Sequence, residues 1–355
     1  ARTLTGSSAR LRNTLLGEQE PRFDNVKPIE LLTSLNPPQQ EAVQFALAAR
    51  DVAIIHGPPG TGKTTTVAEI IAQCVRSGQR VLACAPSNTA VDNLLEKLVD
   101  LIPRVIRVGH PALVFEALRG HTLDELVEAD PNSAIVADIW KDVDHLMRAA
   151  KKQSRSREAN RRRGELYAEA GRLRQEAKTL ERSTIRHVID SADVICTTTT
   201  IDDDLLGDQT FETVVIDEAC QCTESAMWQP MLRADRLILA GDHCQLPPTI
   251  VSAEAAREGF STSMMERLIE KFGGDIFRRL IVQYRMNESI MKLSSRHFYD
   301  DQLQADTSVQ SPRLVDLPSV SATTVTGSVL EFWDSAGASW DEELETDGES
   351  KLNRK

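Results

Sequence analysis

No C-x-x-C pair occurs among the six cysteines, Cys74, Cys84, Cys196, Cys220, Cys222 and Cys244. Their scatter argues against structural zinc. Four of the six lie in or beside apolar runs, so reduced, buried thiols in an intracellular protein are expected. Long apolar runs are missing too. None approaches the roughly 18 residues of a membrane span, and no signal peptide opens the text. Positive charge is scarce: 41 Lys and Arg face 53 Asp and Glu, for a formal net charge of −12. Taken whole, that balance opposes a polyanionic partner. Its distribution does not. Residues 331–350 hold eight acids and no Lys or Arg, so the other 335 residues carry only −4, which is −12 less the −8 of that stretch. The segment 151–163 holds seven basic residues (Lys151, Lys152, Arg155, Arg157, Arg161, Arg162 and Arg163) against one acid, Glu158. A phosphate backbone responds to such local patches more than to the sum.

What the chain does hold centres on Val52 to Glu69, V-A-I-I-H-G-P-P-G-T-G-K-T-T-T-V-A-E. A short apolar, β-branched run leads into a glycine-rich loop and then a helical pattern. Gly57, Pro58, Pro59, Gly60, Thr61, Gly62, Lys63 and Thr64 fit G-x-x-x-x-G-K-[ST], with Thr65 next. Glycines let backbone N–H groups turn inward and cradle phosphates. Lys63 can then reach the β- and γ-phosphates, and the Thr64 hydroxyl can ligate Mg²⁺. The stretch predicts a nucleotide phosphate site.

Around it the text alternates strands and helices, which predicts an α/β fold with a parallel sheet. Residues 1–27 read as a linker or the end of an upstream element. An amphipathic helix follows Asn36-Pro37-Pro38 through Ala49, with Asn36 as N-cap and proline in the first turn. Strands are expected at Val52–Ile55, Arg80–Ala85, Val105–Val108, Asp193–Thr197, Thr213–Ile216, Arg236–Ala240 and Phe277–Val282. Between them, from about 113 to 188, the rhythm gives way to helical spacing at Ile135, Ile139, Val143 and Leu146, and again at Leu166, Leu173, Ala177 and Leu180. Two antiparallel helices protruding from the sheet domain are expected, separated by a basic section containing Gly164, with the arginines near the tip. Past Asp300 the pattern decays into Pro/Ser/Thr-rich text and the acidic tail. The chain starts at Ala1 and closes on no element, so a piece of a longer protein is expected.

Chemistry gathers where strands end. Val214-Val215-Ile216 delivers Asp217 to a Mg²⁺ shell opposite Thr64, and Glu218 beside it is placed as general base for an attacking water. Gly241-Asp242-His243-Cys244-Gln245 follows another strand. The Gln245 amide can sense the γ-phosphate or its water, with Asp242 linking it to the water network. His243 and Cys244 are adjacent, a poor spacing for one metal. Gln283-Tyr284-Arg285-Met286 adds a ring that can stack on adenine and a permanent cation for the transferring phosphate. Pro86-Ser87-Asn88-Thr89 leaves a strand's carboxyl end, where ligands of open α/β sheets collect, and also serves as a helix cap.

Five motifs stand in order: GPPGTGKT (57–64), CAPSNTAVDNL (84–94), DEACQ (217–221), GDHCQLPP (241–248) and QYRM (283–286). Together they resemble the superfamily 1 helicases, in the 1B branch that includes the nonsense-decay helicase. The stretches R-V-G-H-P-A (107–112) and I-V-A-D-I (135–139) are similar to the mu-binding-protein type within that branch. The likeness runs from about residue 12 to 330. It implies P-loop RecA-like domains with ATP in the cleft between them, and ATP-driven 5′→3′ movement along single-stranded RNA or DNA, with unwinding of duplexes. It implies that Gln39 reads adenine. It also implies that Pro86, Ser87, Asn88 and Thr89, with Thr198 and Thr199, touch the nucleic-acid backbone, and that the helical insertion brings Arg161, Arg162 and Arg163 near it. A monomer in the cytoplasm or nucleus, associated with ribosomes or ribonucleoprotein, follows from the same likeness. On it the chain divides into a first RecA-like domain (28–112 and 189–276), a helical hairpin (113–188), the start of a second RecA-like domain (277–330) and a disordered acidic tail (331–355). The family's later motifs, a G-x-E segment and a V-A-L-T-R-A-like segment with a second arginine, are absent. The chain by itself is therefore also readable as an ATP- and nucleic-acid-binding module without motor activity.

Overall fold

The structure, a computed structural model, describes residues 6–25, 28–110, 113–152, 156–332 and short pieces at 334, 336–337, 343–344 and 351–352. Most of the acidic tail expected to be disordered, and residues 111–112 and 153–155, lie outside the described residues. By its contacts the chain forms two units, 1–282 and 283–355.

The first unit is built on seven strands: β1 (Val52–His56), β2 (Val81–Ala85), β3 (Val105–Arg107), β4 (Val194–Thr198), β5 (Phe211–Ile216), β6 (Ala234–Gly241) and β7 (Phe277–Arg279). All pairs are parallel, in the order β3-β4-β2-β5-β6-β1-β7. Both faces are covered, so the central strands read as unbroken apolar text rather than alternation. Along β1 the faces still separate. Val52 and Ile54 join one core with Leu82, Val214 and Leu237, and Ala53 and Ile55 join the other with Val81, Ala83 and Val215.

The helices that bear on the site are α1 (Gly6–Leu15), α2 (Pro37–Ala48), α3 (Lys63–Arg76), α4 (Asn88–Leu98), α5 (Leu123–Glu128), α6 (Pro131–Lys152) and α7 (Arg157–Ser191). Helices α2, α3 and α4 cover one face of the sheet through Val43, Ile70, Ile71, Leu94 and Leu95. Asn36 caps α2 as its composition predicts: its side chain accepts from the Gln39 N–H at 2.9 Å, and the Gln39 side chain accepts in return from the Asn36 N–H. Buried Glu69 of α3 accepts from the Leu32 and Thr33 N–H groups and fastens the segment before α2.

Three expectations need correction. Of the stretch expected as a linker or the end of an upstream element, residues 6–25 pack on the sheet and are no linker. Helix α1 lays Leu11 and Leu15 into the core opposite α2 to α4, beside Ile54, Met264 and Leu268, and Arg22 holds buried Asp51 through both its N–H and its guanidinium. The strand at 277 does not open a second domain. Strand β7 pairs with β1 at the edge of the first unit's sheet, and the division falls after Val282. Its apolar text is the same for either sheet, and only pairing decides. Gly164 lies inside α7 rather than between two helices. One exposed glycine costs a 35-residue helix only about 1 kcal/mol.

The second unit is described by itself. It carries the helix Glu288–Phe298, capped by Asn287, and a groove lined by Met286, Ile290, Leu314, Leu317 and Val325. No helix among the described residues is long and apolar enough to cross a membrane.

Candidate nucleotide and nucleic-acid site

The candidate segments after β1, β2, β4, β5 and β6 leave the carboxyl edge of the sheet, where ligands of parallel α/β folds bind. After β1 the chain turns through Gly57–Gly62 and enters α3 at Lys63. Gly62 sits at φ +74°, and a Cβ there would stand 2.5 Å from Gln39 Nε2. At Gly57 an added Cβ would meet the Lys63 stem at 2.6 Å. Both positions need glycine for the loop to close over the lysine. Thr61 closes it further, donating its hydroxyl to Pro58 O at 2.7 Å.

Strand β5 lies two strands from β1, with β6 between. Across that gap Lys63 Nζ reaches Asp217 Oδ1 at 2.7 Å and Glu218 Oε1 at 2.6 Å. The Thr64 hydroxyl stands 3.2 Å from Asp217 Oδ2. Four predicted residues thus meet in one cluster. Burial opposes the charge on Lys63, but the two carboxylates more than reverse this and raise its pKa well above the ordinary lysine value. Thr64 Oγ1 and the Asp217 carboxylate are hard oxygen donors facing one another, a set that suits Mg²⁺.

Glu218 occupies the left-handed region at φ +53°, ψ +36°, which is uncommon for a residue with a side chain. Such strain persists where surrounding contacts over-determine the backbone. Those contacts are present. The Glu218 N–H donates to Asp217 Oδ1 at 2.8 Å, and Gln221 Nε2 donates to Glu218 Oε2 at 3.1 Å. Gln221 closes the DEACQ text but its role is fixed only by this geometry, so the sequence offers no way to select it.

Gln39 is buried at the same loop. Its amide nitrogen donates to Thr61 O at 2.9 Å and its oxygen accepts from Asn36. Gln245 is exposed, and its amide nitrogen donates to Asp242 Oδ2 at 2.7 Å. It lines a groove with Pro86, Gln221, Thr223, Leu246 and Pro247. His56, Asp242, His243 and Cys244 place their ligand-type atoms within 4.8 Å of one another. The Asp242 carboxylate there already accepts from His56, Cys244 N and Gln245, and the Arg279 cation stands against His56. A hydrogen-bonded knot describes this cluster better than an ion site.

The loops after β2 and β4 run side by side, since Ala85 and Thr198 are register partners. Ser87 caps α4, Thr199 N–H donates to Ala85 O at 3.1 Å, and Thr198 donates to Thr200 O. Asn88 is held from below. Fully buried Arg107 donates to Asn88 Oδ1 at 2.8 Å and to Asp92 Oδ1 at 2.9 Å. Thr89 stands in the first turn of α4. Arg161, Arg162 and Arg163 are not part of this cluster. They occupy the start of α7, roughly 40 Å along its axis from Ser191 at 1.5 Å per residue. Arg161 and Arg162 are exposed there and Arg163 is half-buried.

In the second unit Gln283 shapes its own motif. Its side-chain oxygen accepts from the Arg285 and Met286 N–H groups, and its nitrogen donates to Met286 O at 2.7 Å. Tyr284 and Arg285 are left exposed.

Known proteins carry similar sequences. The family described as AAA domain matches residues 34–253, and a second AAA domain family matches 260–355. DNA-binding protein SMUBP-2 of Mesocricetus auratus is 45% identical over 356 residues, covering 98% of this chain and 36% of that protein. DNA polymerase alpha-associated DNA helicase A of Schizosaccharomyces pombe is 37% identical over 304 residues, covering 85% and 45%. The Regulator of nonsense transcripts 1 homolog of Drosophila melanogaster is 37% identical over 298 residues, covering 81% and 23%. The chain thus spans between 23% and 45% of these relatives' lengths.

Proposed function

The chain belongs to the AAA-domain family of superfamily 1B helicases, and from that premise we propose that it is the ATP-hydrolysing core of a 5′→3′ helicase acting on single-stranded RNA or DNA. The convergence of Lys63 on Asp217 and Glu218, with Thr64 alongside, carries the reading. When nucleotide enters, the Lys63 ammonium exchanges carboxylate oxygens for those of the β- and γ-phosphates. Thr64 and Asp217 would then hold Mg²⁺, which would neutralise charge across the terminal phosphates. Glu218, fixed by Gln221, is then free to take the proton of an attacking water. Gln39 reads the adenine edge, and the roles of Tyr284 and Arg285 rest on the likeness of the Gln283–Met286 motif alone. Pro86–Thr89 with Thr198 and Thr199 track a strand backbone along the adjoining edge.

ATP hydrolysis by the full protein is expected to rise when single-stranded RNA or DNA is added, and a rate indifferent to both would sink the helicase reading. Glu218→Gln should bind ATP within a few-fold of the parent and hydrolyse it about 10²–10⁴-fold more slowly. For the 355-residue chain alone, binding without motor action is the second reading. What favours it is that the sequence lacks the V-A-L-T-R-A-like segment with a second arginine. Strand separation by the chain alone would refute it. Free thiols fit a cytoplasmic or nuclear setting, and a monomer with ribosomes or ribonucleoprotein as further partners is proposed on the family likeness alone. Co-sedimentation with ribosomes tests the last point.

A further inference from the structure

His56 stands one residue before the phosphate loop, yet its side chain engages other strands. It is fully buried. In register it lies between Gly241 of β6 and Arg279 of β7, so three neighbouring strand ends meet at its level. Its Nε2 is 2.9 Å from Asp242 Oδ1, and its Nδ1 faces Arg279 Nε at 3.3 Å. A guanidinium only donates, so Nδ1 accepts and the assigned tautomer carries its proton on Nε2, donated to Asp242. Asp242, 1% exposed, passes the constraint on. Its Oδ1 also accepts from Cys244 N at 3.1 Å, and its Oδ2 accepts from Gln245 Nε2 at 2.7 Å. The His243 ring packs against His56 with centroids 4.6 Å apart and closes the other side.

Resting on the ATP reading above, we propose that His56 is a positioning residue for the phosphate-sensing amide: through Asp242 it sets the orientation of Gln245, and through Arg279 it makes that orientation depend on β7. Arg279 precedes Gln283, the first residue of the second unit, by four positions, so the chain itself ties this strand to the Gln283–Met286 motif. A histidine that merely filled space would need neither nitrogen paired in this directional way. Here both are used, and each contact fixes what the other can be. A buried donor aimed at a buried carboxylate holds it in one rotamer, and that rotamer presents Oδ2 to Gln245.

The test separates the two nitrogens. Glutamine puts its amide nitrogen where Nε2 sits and can still donate to Asp242, whereas asparagine is too short and reaches only the Nδ1 position. Affinities of the 355-residue chain for ADP and for a non-hydrolysable ATP analogue, each with Mg²⁺, are measured by fluorescence of labelled nucleotide. In the parent the analogue should bind more tightly than ADP. His56→Asn should lower that preference about tenfold, the worth of roughly one hydrogen bond, and leave ADP affinity unchanged. His56→Gln keeps the Asp242 contact and loses only the Arg279 one, so it should lower the preference about threefold. Arg279→Met, at a half-buried site, removes the same contact from the other side and should also lower the preference about threefold. Equal behaviour of the Asn and Gln variants overturns the proposal, as does a parallel loss of ADP and analogue binding. Should neither histidine variant fold, an unchanged preference in Arg279→Met overturns it. A parent chain that binds neither nucleotide would instead overturn the ATP reading.

Discussion

Burial lifts the thiols of Cys196 and Cys222 to about 12 and that of Cys84 well above its ordinary value. The unfolded chain releases these protons near pH 9 while the folded chain keeps them, so between about 9 and about 12 the unfolded state binds fewer protons. Stability is therefore expected to be fully present below pH 9 and to fall as pH rises toward 12. Lys63, also raised, adds to the loss in the same direction once pH passes its ordinary value of 10.5. Urea midpoints at pH 8, 9.5 and 10.5 check this, and a flat profile would contradict it. Alkylation at pH 8 gives a second check. Cys244, half-exposed, should be labelled in the folded protein, and the five buried thiols only after unfolding.

At the scale of elements, α1 makes the sharpest claim. Leu15 is 1% exposed within the core shared by β1 and the helix Met264–Phe272, and Arg267 donates to its carbonyl at 2.9 Å. Leu15→Ala is expected to cost about 2–5 kcal/mol, as for other large-to-small core changes, and a cost under about 1 kcal/mol by denaturant titration would return residues 6–25 to a linker. Why this helix escaped the sequence while others did not is physical. The helices α2 and α3 and their caps announce themselves by residue type within a few positions, as Asn36-Pro37-Pro38 and Gly62-Lys63-Thr64 do. Helix α1 offers only Leu11 and Leu15 one turn apart, too short a stripe to define a period. Strand β7 shows the opposite limit: its text reads as a strand, but pairing with β1 is non-local and has no local signal. The same division holds in the site. Lys63, Thr64, Asp217 and Glu218 were legible because phosphate and metal chemistry dictates their types and spacing. Gln221 and His56 were not, because an amide or an imidazole acquires its role only from what stands about 3 Å away.

At the scale of the molecule the net charge of −12 would repel a polyanion, so any grip on nucleic acid has to come from local cations. The structure ranks the three arginines singled out at the start of α7. Arg161 lies 3.5 Å from Glu165, so the charge it would offer a strand is already half-neutralised. Arg163 is half-buried, which limits its reach. Arg162 is exposed at the far end of a helix that carries it well away from the acid-bearing sheet edge. Each phosphate neutralised on a single strand releases counterions worth a slope of about −0.7 in log K against log salt. Arg162→Gln is therefore expected to make that slope shallower by about 0.7 for single-stranded RNA or DNA, with Arg163→Gln changing it less. Arg161→Gln should fall between them, since loss of its charge also frees Glu165 to repel the strand. Titrations from low to high salt by fluorescence anisotropy supply the slopes. Slopes unchanged from the parent in all three variants would mean that the basic start of α7 is a solvated helix face.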